Sequence, residues 1–230
     1  MPPAPASQNS KIAAYIAALP PDKKLRVVFG GHWSDNPDWL LLKETDQDIT
    51  KPLDFADNSV DVIFTEHVFE HVGFCEAAAF LHQAYRILKP GGVFRLVCPM
   101  LDSVLSADLS DPLGHAYVKT SLIPYYQREE ILLDKILGLG GIAAAPFDFY
   151  INSMFRQHGH LFIWSADLVI RVMQALGYVT AQKKAIGEGI NPDYCIERRR
   201  RGLYMGSDWR EEMASKDIFD LESTIVEATK

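Results

Sequence analysis

The chain has 230 residues, 23 Lys and Arg against 30 Asp and Glu, and a formal net charge of −7 at neutral pH. That length suits one domain carrying an insertion. The 48% hydrophobic content argues against a disordered chain, and the acidic balance disfavours nucleic acid as a partner. The three cysteines, Cys75, Cys98 and Cys195, match no zinc or redox spacing. A reducing compartment is expected. The opening "MPPAPASQNS" lacks the charged and apolar regions of a secretory signal. No apolar run is long enough to span a bilayer. The expectation is a cytoplasmic protein without a membrane partner. The basic run Arg198 to Arg201 reads as a solvated loop or helix end.

In chain order, a short helix is expected from Ser10 to Leu19, capped by Ser10 and stopped by Pro20-Pro21. Leu25 to Phe29 reads as a buried strand ending in Gly30-Gly31, Trp39 to Lys43 as a second, and Val60 to Phe64 as a third. Cys75 to Leu88 carries apolar residues at helical spacing, and Lys89-Pro90-Gly91-Gly92 stops it. Val93 to Cys98 is the next strand. Residues 102–164 break the alternation with helical, Gly/Ala-rich and aromatic stretches, which read as a helical insertion. A helix from Ser165 to Leu176, ended by Gly177, follows. Strands near Thr180 to Ala185 and Ser223 to Ala228 close the chain. Strands apolar along their whole length, alternating with helices, predict an α/β Rossmann-like, mostly parallel sheet with helices on both faces.

In such sheets ligands sit beyond the carboxyl ends of the strands. Three ends here carry polar or glycine residues: Gly30-Gly31-His32, Thr65-Glu66-His67 and Cys98-Pro99. A dinucleotide is disfavoured, because "FGGHWSDNPD" lacks the spaced glycines. The stretch from Gly30 to Asp38 is also short for a helical crossover.

"DITKPLDFADNSVDVIFTEHVFEHV", followed by "AYRILKPGGVFRLVCP", resembles the class I S-adenosylmethionine-dependent methyltransferases, in particular a compact type-11-like group with a shortened amino-terminal half. Asp48, Leu53, Phe55, Asp57, Asn58, Ser59, Asp61, Glu70, His71, Arg86, Leu88, Lys89, Pro90, Gly91 and Gly92 fit the pattern, while Asp54 stands where the family usually has Pro. The match runs from Asp46 to Pro99.

The resemblance implies S-adenosyl-L-methionine as cofactor, with Asp48 and Ile49 on the adenine side and Gly30, Gly31 and His32 under the methionine part. It also implies that Val60 to Phe64 is a central strand beside the first. Thr65, Glu66 and His67 would then line the junction of cofactor and acceptor. The family's ribose-holding acid falls at Lys43 here, so Glu44 or Asp46 is expected to substitute; a carboxylate accepts two hydrogen bonds at once. Glu70 and His71 are expected to be structural.

Methyl transfer to a hydroxyl needs a general base, and histidine suits that near neutral pH. His67 and His160 are the candidates, with His158 behind them. His67 and His71 would share a helix face as an i,i+4 pair, but no third ligand is in view and no metal is expected.

The expected organisation is a cofactor-binding core, residues 1–101 and 165–230, and a helical cap, residues 102–164. The aromatic residues Tyr125, Tyr126, Phe147, Phe149, Tyr150 and Phe155 suit a cap core, acceptor contacts or a homodimer interface. The expected activity is methyl transfer, with oxygen as the favoured acceptor atom, to a small molecule or glycan-type acceptor. A non-catalytic partner protein with an altered glycine motif is the alternative.

Overall fold

A computed structural model describes residues 9–30, 37–197 and 219–230. Gly31, His32 and the basic run 198–201 lie outside the described residues. The strands are β1 (Arg26–Phe29), β2 (Leu40–Leu42), β3 (Val60–Glu66), β4 (Leu88–Pro99), β5 (Thr180–Lys184) and β6 (Ser223–Thr229). They form one sheet in the order β2-β1-β3-β4-β6-β5. β1 to β4 run parallel, and β6 lies antiparallel between β4 and β5. The expected third strand does sit beside the first, with Val27 opposite Ile63 and Phe29 opposite Thr65.

One sheet face is covered by α1 (Ser10–Ala18), α2 (Phe74–Ile87) and α8 (Ala166–Ala175). Ile12, Phe80, Ala84 and Val169 pack there on Val27, Phe29, Ile63, Phe94 and Val226. Truncating a fully buried ring such as Phe80 to Ala would cost ~3–5 kcal/mol. α1 is capped by Asn9 rather than Ser10, because the Asn9 side chain accepts from the amides of Lys11 and Ile12. α8 has the expected Ser165 cap, which accepts from the Leu168 amide.

On the other face, the described cover is the segment 186–197, with one 3₁₀ turn at Pro192–Tyr194. It lays Tyr194 and Ile196 on Val28, Trp39, Val62, Phe64, Val97 and Ile225. Arg95 of β4 points into this layer and is fully buried. Its guanidinium donates to Glu197 at 2.6 and 3.1 Å, to Glu227 at 3.0 Å and to the Glu188 carbonyl at 2.9 Å. The charged network therefore fastens the segment to the sheet.

Several residues of the sequence pattern act as local clamps. Arg86 donates to the carbonyls of Leu53 and Phe55, both at 2.8 Å, and to Asp57 at 2.7 Å. Lys89 pairs with Asp61 at 2.6 Å, and the same carboxylate oxygen accepts from the Leu25 amide. Asn58, at φ 54°, holds the turn before β3, and Lys230 Nζ reaches its side chain at 2.8 Å. These contacts fix the loop that leads into β3.

The segment between β4 and α8 is helical, as expected. It contains α3 (Leu101–Ser106), α4 (Pro112–Tyr117), α5 (Ile123–Tyr125), α6 (Gln127–Ile131) and α7 (Pro146–Arg156), with wide π turns at Val118–Leu122 and Leu132–Ile136. Val104, Leu113, Tyr117, Leu122, Tyr150 and Met154 form a separate apolar cluster with Leu221. Of the aromatic residues singled out above, Tyr150 is core, Tyr126 and Phe149 pack at its edge, and Tyr125, Phe147 and Phe155 are exposed. Leu221 belongs to α9 (Phe219–Glu222), which precedes β6.

Candidate functional site

A cleft of about 760 Å³ opens beyond the carboxyl ends of β1, β2 and β3. It is walled by Gly30, by the turn 43–50 after β2, and by His67, Val68, His71 and Val72 after β3. This size is ordinary for a small-molecule site.

The strand ends shape it through backbone conformation. Gly30 has φ +75°, and a Cβ there would fall 2.0 Å from Val68 Cγ2. Only glycine lets the β1 end lie against the segment after β3. Gly30 donates to the Leu42 carbonyl at 2.8 Å, so β1 and β2 end in register. His67 adopts φ 51°. The chain therefore turns sharply after β3 and enters a 3₁₀ turn, Phe69–His71, instead of a helix. The expected helical His67/His71 pair is not formed for that reason.

Of the expected cofactor residues, Gly30, Glu44, Asp48 and Ile49 line the cleft, and His67 joins them. Lys43 and Glu44 are both exposed there. Asp46 does not line it. Its carboxylate is bound by Lys11 Nζ at 2.6 Å and the Lys43 amide at 2.9 Å, and both bonds hold it below the usual carboxylate range. Asp48 accepts from the Thr50 hydroxyl at 2.7 Å and amide at 2.8 Å, which lowers its pKa as well. Thr65 is fully buried, and its Oγ1 has no hydrogen-bond partner among the described residues. Glu66 is buried at the strand end.

His67 is the centre of a polar chain. Its Nε2 lies 2.9 Å from Ser223 Oγ, and its Nδ1 lies 3.3 Å from Glu70 Oε1 and 4.0 Å from Glu222 Oε1. Burial disfavours the imidazolium, but the Glu70, Glu222 and Glu66 carboxylates outweigh it and raise the His67 pKa. Glu222 also accepts from Tyr117 of the insertion at 3.0 Å. The Tyr117 hydroxyl is pushed up by burial and then by Glu222.

Glu70 is fully buried, and neither carboxylate oxygen has an aligned hydrogen-bond donor. The ring nitrogens of His67 and His71, 3.3 and 3.7 Å from Oε1, stand at ion-pair distance only. Burial pushes Glu70 up, and these rings more than offset it.

His160 is brought to the same place by the backbone. The amides of Leu161 and Phe162 donate to the Glu70 carbonyl at 2.8 and 3.3 Å. The His160 and His71 rings are 5.0 Å apart, and those of His158 and His160 5.7 Å. Burial depresses the pKa of both His158 and His160. His160 does not line the cleft, whereas His71 does.

Glu70, Glu222, Ser223 and Tyr117 were not among the expected site residues. The Glu-His repeat signalled Glu70, but its burial could not be read there; the other three arrive from distant parts of the chain.

Residues 32–96 match the family model described as a methyltransferase domain. No curated protein matches the chain in sequence. Among solved structures, a chain in the complex of the Haloferax volcanii Trm112 methyltransferase activator with a putative methyltransferase shares 14% identity. That match covers 95% of this chain and 88% of the other, at a TM-score of 0.44. A Thermotoga maritima S-adenosylmethionine-dependent methyltransferase, a possible histamine N-methyltransferase, shares 14% identity over 96% of this chain and 88% of its own, at a TM-score of 0.40. Human N-acetylserotonin methyltransferase shares 12% identity over 90% of this chain and 40% of its own, at a TM-score of 0.41. The segment that builds β2, the cleft turn, β3, α2 and most of β4 thus carries the methyltransferase-domain pattern, on a Rossmann-like α/β sheet.

Proposed function

We propose that the protein is an S-adenosylmethionine-dependent methyltransferase acting on a hydroxyl of a small-molecule or glycan-type acceptor. One observation carries this reading. The methyltransferase-pattern segment folds so that Glu44, Asp48, Ile49 and His67 meet Gly30 in one cleft at the strand ends.

The residues present fit the cofactor. Gly30 ends β1 on the cleft wall, where a residue without a side chain lets backbone pass close to the methionine part. With Asp46 occupied by Lys11, Glu44 is the free-standing carboxylate for the ribose hydroxyls. Asp48 and Ile49 suit the adenine, and Thr65 and Glu66 sit behind the methionine part. The bound cofactor supplies an activated methyl group, so the protein's task is chiefly to hold the acceptor in line. His67 lines the cleft with Nδ1 backed by Glu70, and takes the acceptor proton on Nε2 when the acceptor displaces the Ser223 hydroxyl from it. His160, away from the cleft lining, does not suit that role.

The insertion would close over the acceptor. Its exposed Ile131, Leu132, Ile136 and Leu137 would suit contact with a second copy, which the mass in solution tests. No helix among the described residues is long and apolar enough to cross a membrane.

Replacing His67 by Ala should lower kcat by about 10²–10⁴-fold once an acceptor is found. Affinity for S-adenosylhomocysteine should be unchanged. Equal loss of both would remove His67 from the base role. Absence of cofactor binding in the parent protein, with stable capture of another protein, would favour the non-catalytic reading.

A further inference from the structure

We propose that Glu70, His71 and His160 form a divalent-cation site, best suited to zinc, in the wall of the cleft. The buried Glu70 carboxylate has no aligned donor on either oxygen, and leaving such a group unsatisfied is costly. One ligand atom from each of the three residues lies within 4.8 Å of the others. Glu70 Oε1 and His71 Nε2 are 3.7 Å apart. Two ligands on a tetrahedral zinc with bonds of about 2.0–2.1 Å would stand roughly 3.3 Å apart. A small rotation of the half-exposed His71 ring closes that gap.

His160 is set up to ligate. Its Nδ1 lies 2.7 Å from the Met154 carbonyl. A carbonyl only accepts, so Nδ1 carries the proton and Nε2 keeps the lone pair. Metal-binding histidines are commonly fixed this way by a second partner. The strap from Leu161 to the Glu70 carbonyl holds the ring beside Glu70 independently of any ion.

Two imidazoles and one carboxylate suit zinc, whereas magnesium and calcium prefer oxygen donors throughout. Three protein ligands leave a coordination position open. That position would take an oxygen or nitrogen donor from water or a bound molecule. The site does not depend on the methyltransferase reading.

The test is a cobalt titration of chelator-stripped protein, followed by visible ligand-field absorption, with zinc as competitor. One equivalent should bind, and zinc should displace it. Glu70→Gln and His160→Ala should each weaken binding at least about 10-fold. His82→Ala, on the exposed side of α2, should bind like the parent. Circular dichroism of each metal-free variant confirms folding; should Glu70→Gln fail to fold, His160→Ala decides. No cobalt bands in the parent, or equal binding by His160→Ala and His82→Ala, would overturn the site. Titrating the same stripped protein with S-adenosylhomocysteine reads the cofactor site separately.

Discussion

Two buried charged clusters flank the central sheet and differ in one respect. Around Arg95 every charge is matched. Both oxygens of Glu197 and one of Glu227 take its guanidinium protons; Glu197 Oε1 accepts also from the Gly187 amide, and the other Glu227 oxygen accepts from the Ile190 amide, both at 2.8 Å. Around Glu70 the carboxylate is buried, yet its oxygens find ring nitrogens only at ion-pair distance. A saturated network suits a fastener; an unsaturated one beside a cleft suits a site kept ready for something else. The clusters also differ in place. Arg95 lies under the 186–197 segment, whereas Glu70 lies at the carboxyl end of β3, where α/β sheets bind ligands.

The contrast breaks most readily at Arg95. Replacing it by Met leaves two buried carboxylates without their counter-charge and should cost about 3–5 kcal/mol in denaturant unfolding. A loss below 1 kcal/mol would mean that the network is not the fastener it resembles. Gly30→Ala comes next. The Cβ meets Val68, and φ +75° disfavours any side chain, so ~1–3 kcal/mol of strain is expected. Cofactor affinity should fall with it, because the cleft rim must shift.

Asp102 sharpens the comparison as an acid that is satisfied but wet. Burial pushes its carboxyl up, but the Ala166 amide at 2.8 Å and Lys183 at 3.4 Å outweigh burial and lower its pKa. A carboxyl held lower in the fold than in the unfolded chain stabilises above the unfolded value, near 4. That contribution disappears as pH falls through the folded value. Asp102→Asn should therefore flatten the acid limb of the stability profile below about pH 4, with a loss at pH 7 of no more than ~1 kcal/mol. Unchanged slope in acid would contradict the assignment. An equally small effect is expected at Glu70. In metal-free protein, Glu70→Gln should cost about 1 kcal/mol, since no aligned hydrogen bond is lost and relief of the buried charge partly offsets the lost attraction to His67 and His71. A loss as large as that at Arg95 would make the two clusters alike.

Sequence periodicity exposed what repeats locally. The apolar run of β3, the helical spacing of α2 and the Lys-Pro-Gly-Gly stop all fall within two residues of their observed bounds. Gly30 and His67 were legible as cleft residues because each directly follows a strand, whereas Glu44, Asp48 and Ile49 were expected only from the resemblance to the methyltransferases. Asp46 stands off the cleft lining for a tertiary reason, since Lys11 from α1 pairs with its carboxylate. The Arg95 network was hidden because Glu197 and Glu227 lie 102 and 132 positions away. The His160 approach to His71 was hidden too. It depends on a left-handed turn at His67 and a backbone strap to Glu70, and neither has a residue signature.

The central claim is that the cleft at the strand ends holds S-adenosylmethionine despite Lys43 standing where an acid is expected. Calorimetric titration of the parent, Glu44→Ala and Asp48→Ala proteins with S-adenosylmethionine and S-adenosylhomocysteine tests it directly. The account predicts micromolar binding of both ligands by the parent, and weaker binding by each variant at unchanged fold. No binding by the parent, or binding that both variants retain in full, would contradict it.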